Sequence, residues 1–123
     1  MSSGQNKERD LARILDEQQY HVIRAPSSGS ATTRDLPDLA WSKAGEHTIV
    51  AELKYTGDNV AYFGADEVEA LHRFAVAFNA KSVLVARFKR DTTFWMCPPE
   101  EARETPEGNY AVDRDLDLHP INE

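Results

Sequence analysis

Apolar positions recur at helical spacing in residues 5–19, "QNKERDLARILDEQQ", where Leu11, Ile14 and Leu15 form one stripe among charged neighbours. The pattern predicts an amphipathic helix. The period then changes. "YHVIRA" (20–25) reads as a short strand, and "PSSGSATTRD" (26–35) as a loop, rich in Ser, Thr and Gly and opened by Pro26. "LPDLAW" (36–41) resumes extended structure, because the residue before a proline is biased away from helix. "KAGEH" (43–47) reads as a hairpin turn leading into "TIVAELKY" (48–55), the most strand-like run of the chain, β-branched and apolar.

"TGDNVAYFG" (56–64) reads as a loop. Residues 65–79, "ADEVEALHRFAVAFN", predict a second helix with Val68, Leu71, Ala75 and Phe78 on one side. Asp66 and Glu67 suit the positive end of its dipole. "SVLVARF" (82–88) is a second buried strand, and "TTFWMC" (92–97) a third, ended by Pro98-Pro99. Residues 100–123 carry weak signals: a short helix, a strand at 110–112 and a frayed acidic tail. Helix, strands, helix, strands predicts an α/β fold with a mixed central sheet flanked by helices.

Composition narrows the class. A chain of 123 residues fits one domain, 1–123, with an acidic and partly disordered C-terminal segment at about 113–123. No apolar run approaches the roughly 18–20 residues that span a bilayer, so no membrane association is expected. The polar start "MSSGQNKERD" is unlike a signal peptide, and the single Cys97 allows no intrachain disulfide; both predict a cytoplasmic setting. The histidines are scattered, and no Cys/His pair has zinc-ligand spacing.

The net charge of −7 argues, as a total, against nucleic acid as a partner. Its distribution argues otherwise. Residues 100–123 hold eight acids and two bases, a charge of −6, leaving 13 acids and 12 bases, a charge of −1, for residues 1–99. The acidity belongs largely to the C-terminal segment.

Two charges interrupt the most strand-like run. Residues i and i+2 of a strand share a face, so Glu52 and Lys54 point together, their Cα atoms about 6–7 Å apart. Ala51 and Leu53 point the other way, into a core. Charges on a largely buried strand need pairing or a metal. Glu-x-Lys alone is also what an ion pair on an edge strand looks like. Upstream, Asp38 follows Pro37, and a hairpin would bring Asp38 beside Glu52 and Lys54. Two adjacent carboxylates repel unless a cation lies between them, and an oxygen-only pair suits a hard cation such as magnesium. Lys54 could then stabilise an oxyanion.

Pro-Asp followed by Glu-x-Lys across a hairpin resembles the PD-(D/E)xK nuclease superfamily. The ordered run "GQNKERDLARIL", "VIRAPSSGS", "LPDLAW", "VAELKY" is similar to the archaeal Holliday junction resolvases over roughly residues 4–90. That resemblance implies a restriction-endonuclease-like fold and a metal-dependent endonuclease that resolves four-way DNA junctions by paired nicks, working as a homodimer. The implied cofactor is Mg2+, with Mn2+ as a substitute, and recombination or replication proteins are implied further partners. By the same resemblance Glu8, Asp38 and Glu52, with the carbonyl of Leu53, are the metal ligands. Lys54 is the catalytic lysine, and Ser30 a loop serine contributing to cleavage and DNA contact. Arg9 and Arg24 contact DNA, and Phe74 and Phe78 lie in the dimer interface. Two departures stand out: an acidic chain where the family's DNA face is basic, and Tyr55 directly after the lysine. Other readings of the residues remain: a duplex-cutting nuclease of the same superfamily, a non-catalytic DNA-binding module, or an interaction domain that binds no DNA.

Overall fold

The structure, a computed structural model, describes residues 3–25 and 36–121, with side chains from Lys7 onward. Ser30 lies outside the described residues. The elements run α1 (Ser3–Glu17), β1 (His21–Arg24), β2 (Leu39–Ser42), β3 (Ile49–Thr56), β4 (Val60–Phe63), α2 (Ala65–Ala77), β5 (Lys81–Phe88), β6 (Phe94–Cys97), a 3-10 turn (Pro99–Glu101), β7 (Arg103–Glu104), β8 (Tyr110–Asp113) and β9 (His119–Pro120).

A six-stranded sheet has the order β1-β2-β3-β5-β6-β9. Its centre is the parallel pair β3 and β5, aligned from Ile49 opposite Lys81 to Thr56 opposite Phe88. Every other pairing is antiparallel, so the sheet is mixed, as the element order predicts. A parallel pair needs a crossover, and α2 supplies it. Both faces of the sheet are covered, which explains why β5 is apolar without alternation. Val83 and Val85 face α1, packing with Leu11, Leu15, Leu39, Trp41, Ala51, Leu53 and Phe94. Leu84, Ala86 and Phe88 face α2, packing with Val50, Val68, Leu71 and Ala75.

The helices stop where the backbone turns left-handed. Gln19 (φ 77°) follows α1 and Asn79 (φ 53°) follows α2. The amide of Tyr20 closes back on Leu15 and that of Ala80 on Ala75.

Three differences from the sequence reading are informative. Residues 60–63, read as loop, form β4, which pairs with β8 in a second, three-stranded sheet, β4-β8-β7. Ala61 and Phe63 from that strand are fully buried in the α2-side core. Phe78, grouped by period with Val68, Leu71 and Ala75, is 62% exposed while they are buried; it caps the helix instead of packing beneath it. Finally, the sequence predicts a frayed, partly disordered acidic segment at about 113–123; of these, residues 113–121 are described, and they turn back and add β9 to the edge of β6. Ile121 is only 6% exposed beneath α1, and its carbonyl accepts a hydrogen bond from Gln18 Nε2 at 2.8 Å. One apolar side chain and two ladder positions anchor a segment whose mean composition is that of a tail.

Ile121→Ala is therefore expected to cost about 2 kcal/mol or more of stability, as for other buried aliphatic truncations. A loosely attached tail would show a change within about 0.5 kcal/mol in the same denaturant titration.

Candidate active site

The site forms where β2 leaves β3. Pro37 has no N–H to offer a neighbouring strand, and the β2–β3 pairing ends at Leu39 opposite Ala51. One step further along β3, the Leu53 amide instead donates to Oδ2 of Asp38 at 2.9 Å, while the Asp38 amide donates to the carbonyl of Ala51 at 2.9 Å. The Asp38 carboxylate is thus clamped to the strand that carries Glu52 and Lys54.

Strand alternation puts Val50, Glu52 and Lys54 on the α2 side of β3. The face is core at Val50, which is fully buried, and opens into half-buried polar positions at Glu52 and Lys54. Asp38 and Glu52 come close enough for their carboxyls to share a hydrogen bond. Burial, then the charges of Asp38 and Glu67, push Glu52 up to about 9. Asp38 is also raised, by burial foremost, against the lowering effect of the Leu53 amide and its other partners. Two half-buried carboxyls in contact cannot both hold a full charge; they keep a proton or take a cation.

Glu8 approaches from α1. Its side chain is 16% exposed, and Oε1 lies 3.9 Å from the guanidinium of Arg24 on β1. Burial and the charge of Asp38 raise it, and Arg24 partly offsets this. The fold thus brings Glu8 within electrostatic reach of Asp38. Among the described residues, however, no three acidic, His or Cys side chains are gathered closely enough to form a three-ligand metal site. Arg24, read as a DNA contact, is paired with Glu8 at the rim. Arg9 is exposed on α1.

One residue of the cluster escaped the sequence reading as chemistry. Glu67, in the first turn of α2, accepts from the Gly64 amide through Oε1 at 2.9 Å and from Lys54 Nζ through Oε2 at 3.0 Å. It caps the helix and holds the lysine at once. The signal available was a glutamate three residues after Gly64, the usual place for a side chain that reaches back to the cap. On the α1 side of β3, Tyr55 lies under the ammonium of Lys7, 4.8 Å from the ring centroid.

At the far end of α2, Phe74 and Phe78 stack with ring centroids 4.2 Å apart and planes 14° from parallel. Phe74 leans on the core, while Phe78 stands in solvent.

Comparison with known proteins gives a consistent result. The sequence profile of the family described as "Archaeal holliday junction resolvase (hjc)" matches residues 1–122. The crossover junction endodeoxyribonuclease Hjc of Sulfolobus acidocaldarius is 30% identical over 112 residues, covering 91% of this chain and 77% of the relative. That of Archaeoglobus fulgidus is 30% identical over 115 residues, covering 94% and 82%. The crossover junction endodeoxyribonuclease Hje of Saccharolobus solfataricus is 30% identical over 103 residues, covering 82% and 75%. The crystal structure of Archaeoglobus fulgidus Hjc superimposes with a TM-score of 0.84 at 26% identity, over 97% of each chain.

The carboxyl pair has a consequence for stability. An unfolded glutamate releases its proton near 4.5, whereas Glu52 in the fold keeps it to about 9. Between those values the folded state binds more protons than the unfolded one, so stability falls as pH rises. With chelator present, the melting temperature should decline from about pH 5 to 9, and Glu52→Gln should flatten that slope. An identical slope in both proteins would remove Glu52 as its source.

Proposed function

This chain belongs to the archaeal Holliday junction resolvase family, and from that premise we propose that Asp38, Glu52, Glu8 and Lys54 form its cleavage site. The chain is an endodeoxyribonuclease that hydrolyses phosphodiester bonds to resolve four-way DNA junctions, and its restriction-endonuclease-like fold belongs with that activity. Divalent-metal dependence is general to such nucleases. The observation that carries the site assignment is the Asp38–Glu52 carboxyl pair clamped by the Leu53 amide, with the Lys54 ammonium on the same face.

The donor set fits a hard cation. Asp38 and Glu52 present oxygen only, they are pressed together, and a charge between them would let both ionise. Asp38 and Glu52 would hold the ion, with the Leu53 carbonyl as a further oxygen donor. Glu8, within electrostatic reach of Asp38, would have to move closer to join them. We take the ion to be Mg2+, with Mn2+ able to substitute. When bound, such a cation neutralises charge on the cleaved phosphate and acidifies water.

The chain's own residues supply the rest. Asp38 is oriented by a backbone amide, so it holds its place without spending side-chain freedom at each turnover. Lys54, aimed by Glu67, stabilises negative charge on the phosphate oxygens as the nucleophile attacks in line. Arg24 offsets the charge of Glu8 and would exchange that partner for a DNA phosphate, with Arg9, which follows Glu8 on α1, and Ser30 adding further contacts. Selectivity rests on junction shape sensed through phosphates, not on base edges.

By the same reading the whole chain works as one nuclease domain in the cytoplasm, alongside recombination or replication proteins. Two copies pair through Phe74 and Phe78. A two-fold dimer matches the symmetry of a junction and places two sites on opposed strands. The exposure of Phe78, stacked on Phe74 at one end of a helix, supports this: a large aromatic surface in water gains by being covered.

Glu52→Gln should lower junction cleavage by more than the roughly 10–100-fold typical of outer-shell partners of a metal, with junction affinity largely kept. The assay sets a mobile junction beside a linear duplex of the same sequence, with magnesium. Full activity in the variant would refute the site, and equal cutting of both substrates by the parent would favour a duplex nuclease. Replacing Phe74 and Phe78 together by Ala should move the protein from dimer to monomer in sedimentation. A dimer that persists would return these rings to a purely local role.

A further inference from the structure

We propose that a basic cavity at the C-terminal ends of β3 and β5 is a second phosphate-binding site, which grips DNA backbone beyond the cleavage site. The proposal rests on the nuclease reading above and extends its footprint.

The cavity, about 430 Å3, is lined by Gly57, Asn59, Lys89, Arg90 and Arg114. These residues come from three separate parts of the sequence. Gly57 and Asn59 belong to the β3–β4 turn, Lys89 and Arg90 to the β5–β6 turn, and Arg114 follows β8. Backbone hydrogen bonds fix the segments together, Lys89 amide to Thr56 carbonyl at 2.8 Å and Arg114 amide to Asn59 carbonyl at 2.8 Å, while Asp91 amide to Phe88 carbonyl at 3.1 Å closes the β5–β6 turn. The methylene stem of Lys89 runs beside Gly57, 3.7 Å from where a Cβ would stand there. The cavity is therefore built before any ligand arrives.

Its charge is unbalanced. The Arg114 guanidinium lies 3.6 Å from Asp91, which also accepts from Trp95 Nε1 at 2.8 Å, and it sits over the Phe88 ring. That accounts for one cation. Lys89 and Arg90 have no acidic partner among the described residues. Asp58 and Asp115 are chain neighbours of the lining residues but do not line the cavity. Two cations without an acidic partner, beside a third that has one, repel each other unless an anion joins them. In a chain of net charge −7 such a gathering has no general cause in composition.

Arg90 adds a separate observation. Its φ is 66°, a left-handed conformation that glycine adopts freely and a long side chain adopts at a cost. The turn thus presents the Arg90 side chain from a left-handed position, at the cavity wall. Position favours DNA over a free anion. Gly57 follows Lys54 by three residues, about 10 Å along the strand, the axial rise of roughly three base pairs. That spacing suits a backbone that runs from Lys54 along β3.

The test uses Lys89→Gln combined with Arg90→Gly, which removes both unpaired cations and relieves the left-handed strain, so the variant should melt no lower than the parent. Two readouts are needed. Inorganic phosphate is titrated while the amide resonances of Gly57, Asn59, Lys89 and Arg90 are followed by NMR. Junction affinity is measured across a salt series, together with cleavage at saturating junction. We expect phosphate to shift those amides in the parent only. We also expect the variant to bind junction about tenfold more weakly, with a salt slope reduced by roughly 2 and an unchanged saturated cleavage rate. No phosphate shift together with parental junction affinity overturns the proposal. A phosphate shift with unchanged junction affinity and slope overturns its assignment to DNA. A parent that takes phosphate in the cavity yet neither binds nor cuts junctions would instead overturn the nuclease reading, leaving the anion site standing.

Discussion

At the point where β2 parts from β3, the Leu53 amide has no strand carbonyl to meet, and a carboxylate takes its place at 2.9 Å. Much of the molecule is arranged around that exchange. An unpaired amide at a half-buried strand edge would cost about 1–3 kcal/mol, so Asp38 has a structural reason to be acidic quite apart from chemistry. Satisfying the amide brings its charge against Glu52, and the resulting frustration makes the pair hungry for a proton or a cation. Stability and reactivity are thus set by the same bond, and they pull in opposite directions: what completes the ladder also raises the electrostatic tension next to it.

Around this point the two helices divide the labour. α1 covers one face of the sheet with Leu11 and Leu15 and delivers Glu8, while α2 covers the other with Val68, Leu71 and Ala75 and delivers Glu67. Because β3 and β5 pair in parallel along their whole lengths, their ends lie side by side, and the turns that follow them meet. That geometry brings Lys89 and Arg90 next to Gly57, and it explains how an acidic chain can present positive charge locally. The acids of the C-terminal segment are partly absorbed within it, Asp113 being gripped by Arg103 at 2.7 and 2.9 Å.

The sequence made the centre of the fold easy to read and its margins hard. Both helices, the β2–β3 hairpin and the strands β5 and β6 are legible because their signals are local: period, turn residues and proline. β4 was missed because four residues between Gly57-Asp58-Asn59 and Gly64 look like loop, and what makes them a strand is Tyr110–Asp113, some fifty positions away. β9 and Ile121 were missed because acidic composition outweighed one isoleucine. Asp38, Glu52 and Lys54 were legible because a hairpin joins them. Glu67 and the cluster of Gly57, Lys89, Arg90 and Arg114 were not, since only tertiary structure brings their members together. Phe78 shares the apolar side of the helix by period, yet stands exposed because α2 ends at Ala77, one residue before it.

α2 carries unlike duties at its two ends. Glu67 steadies Lys54 near the start, and Phe78 stands exposed just past the finish, eleven residues or about 16 Å away. A helix of that length is stiff, so a displacement at one end would be carried to the other. A tilt of roughly 5° about the Phe78 end would carry Glu67 some 1.4 Å, on the scale at which a misplaced catalytic group loses much of its effect. Evolution is consequently not free to remodel one end alone: drift in the aromatic surface must keep the helix axis fixed, or be matched by compensating change beside the lysine.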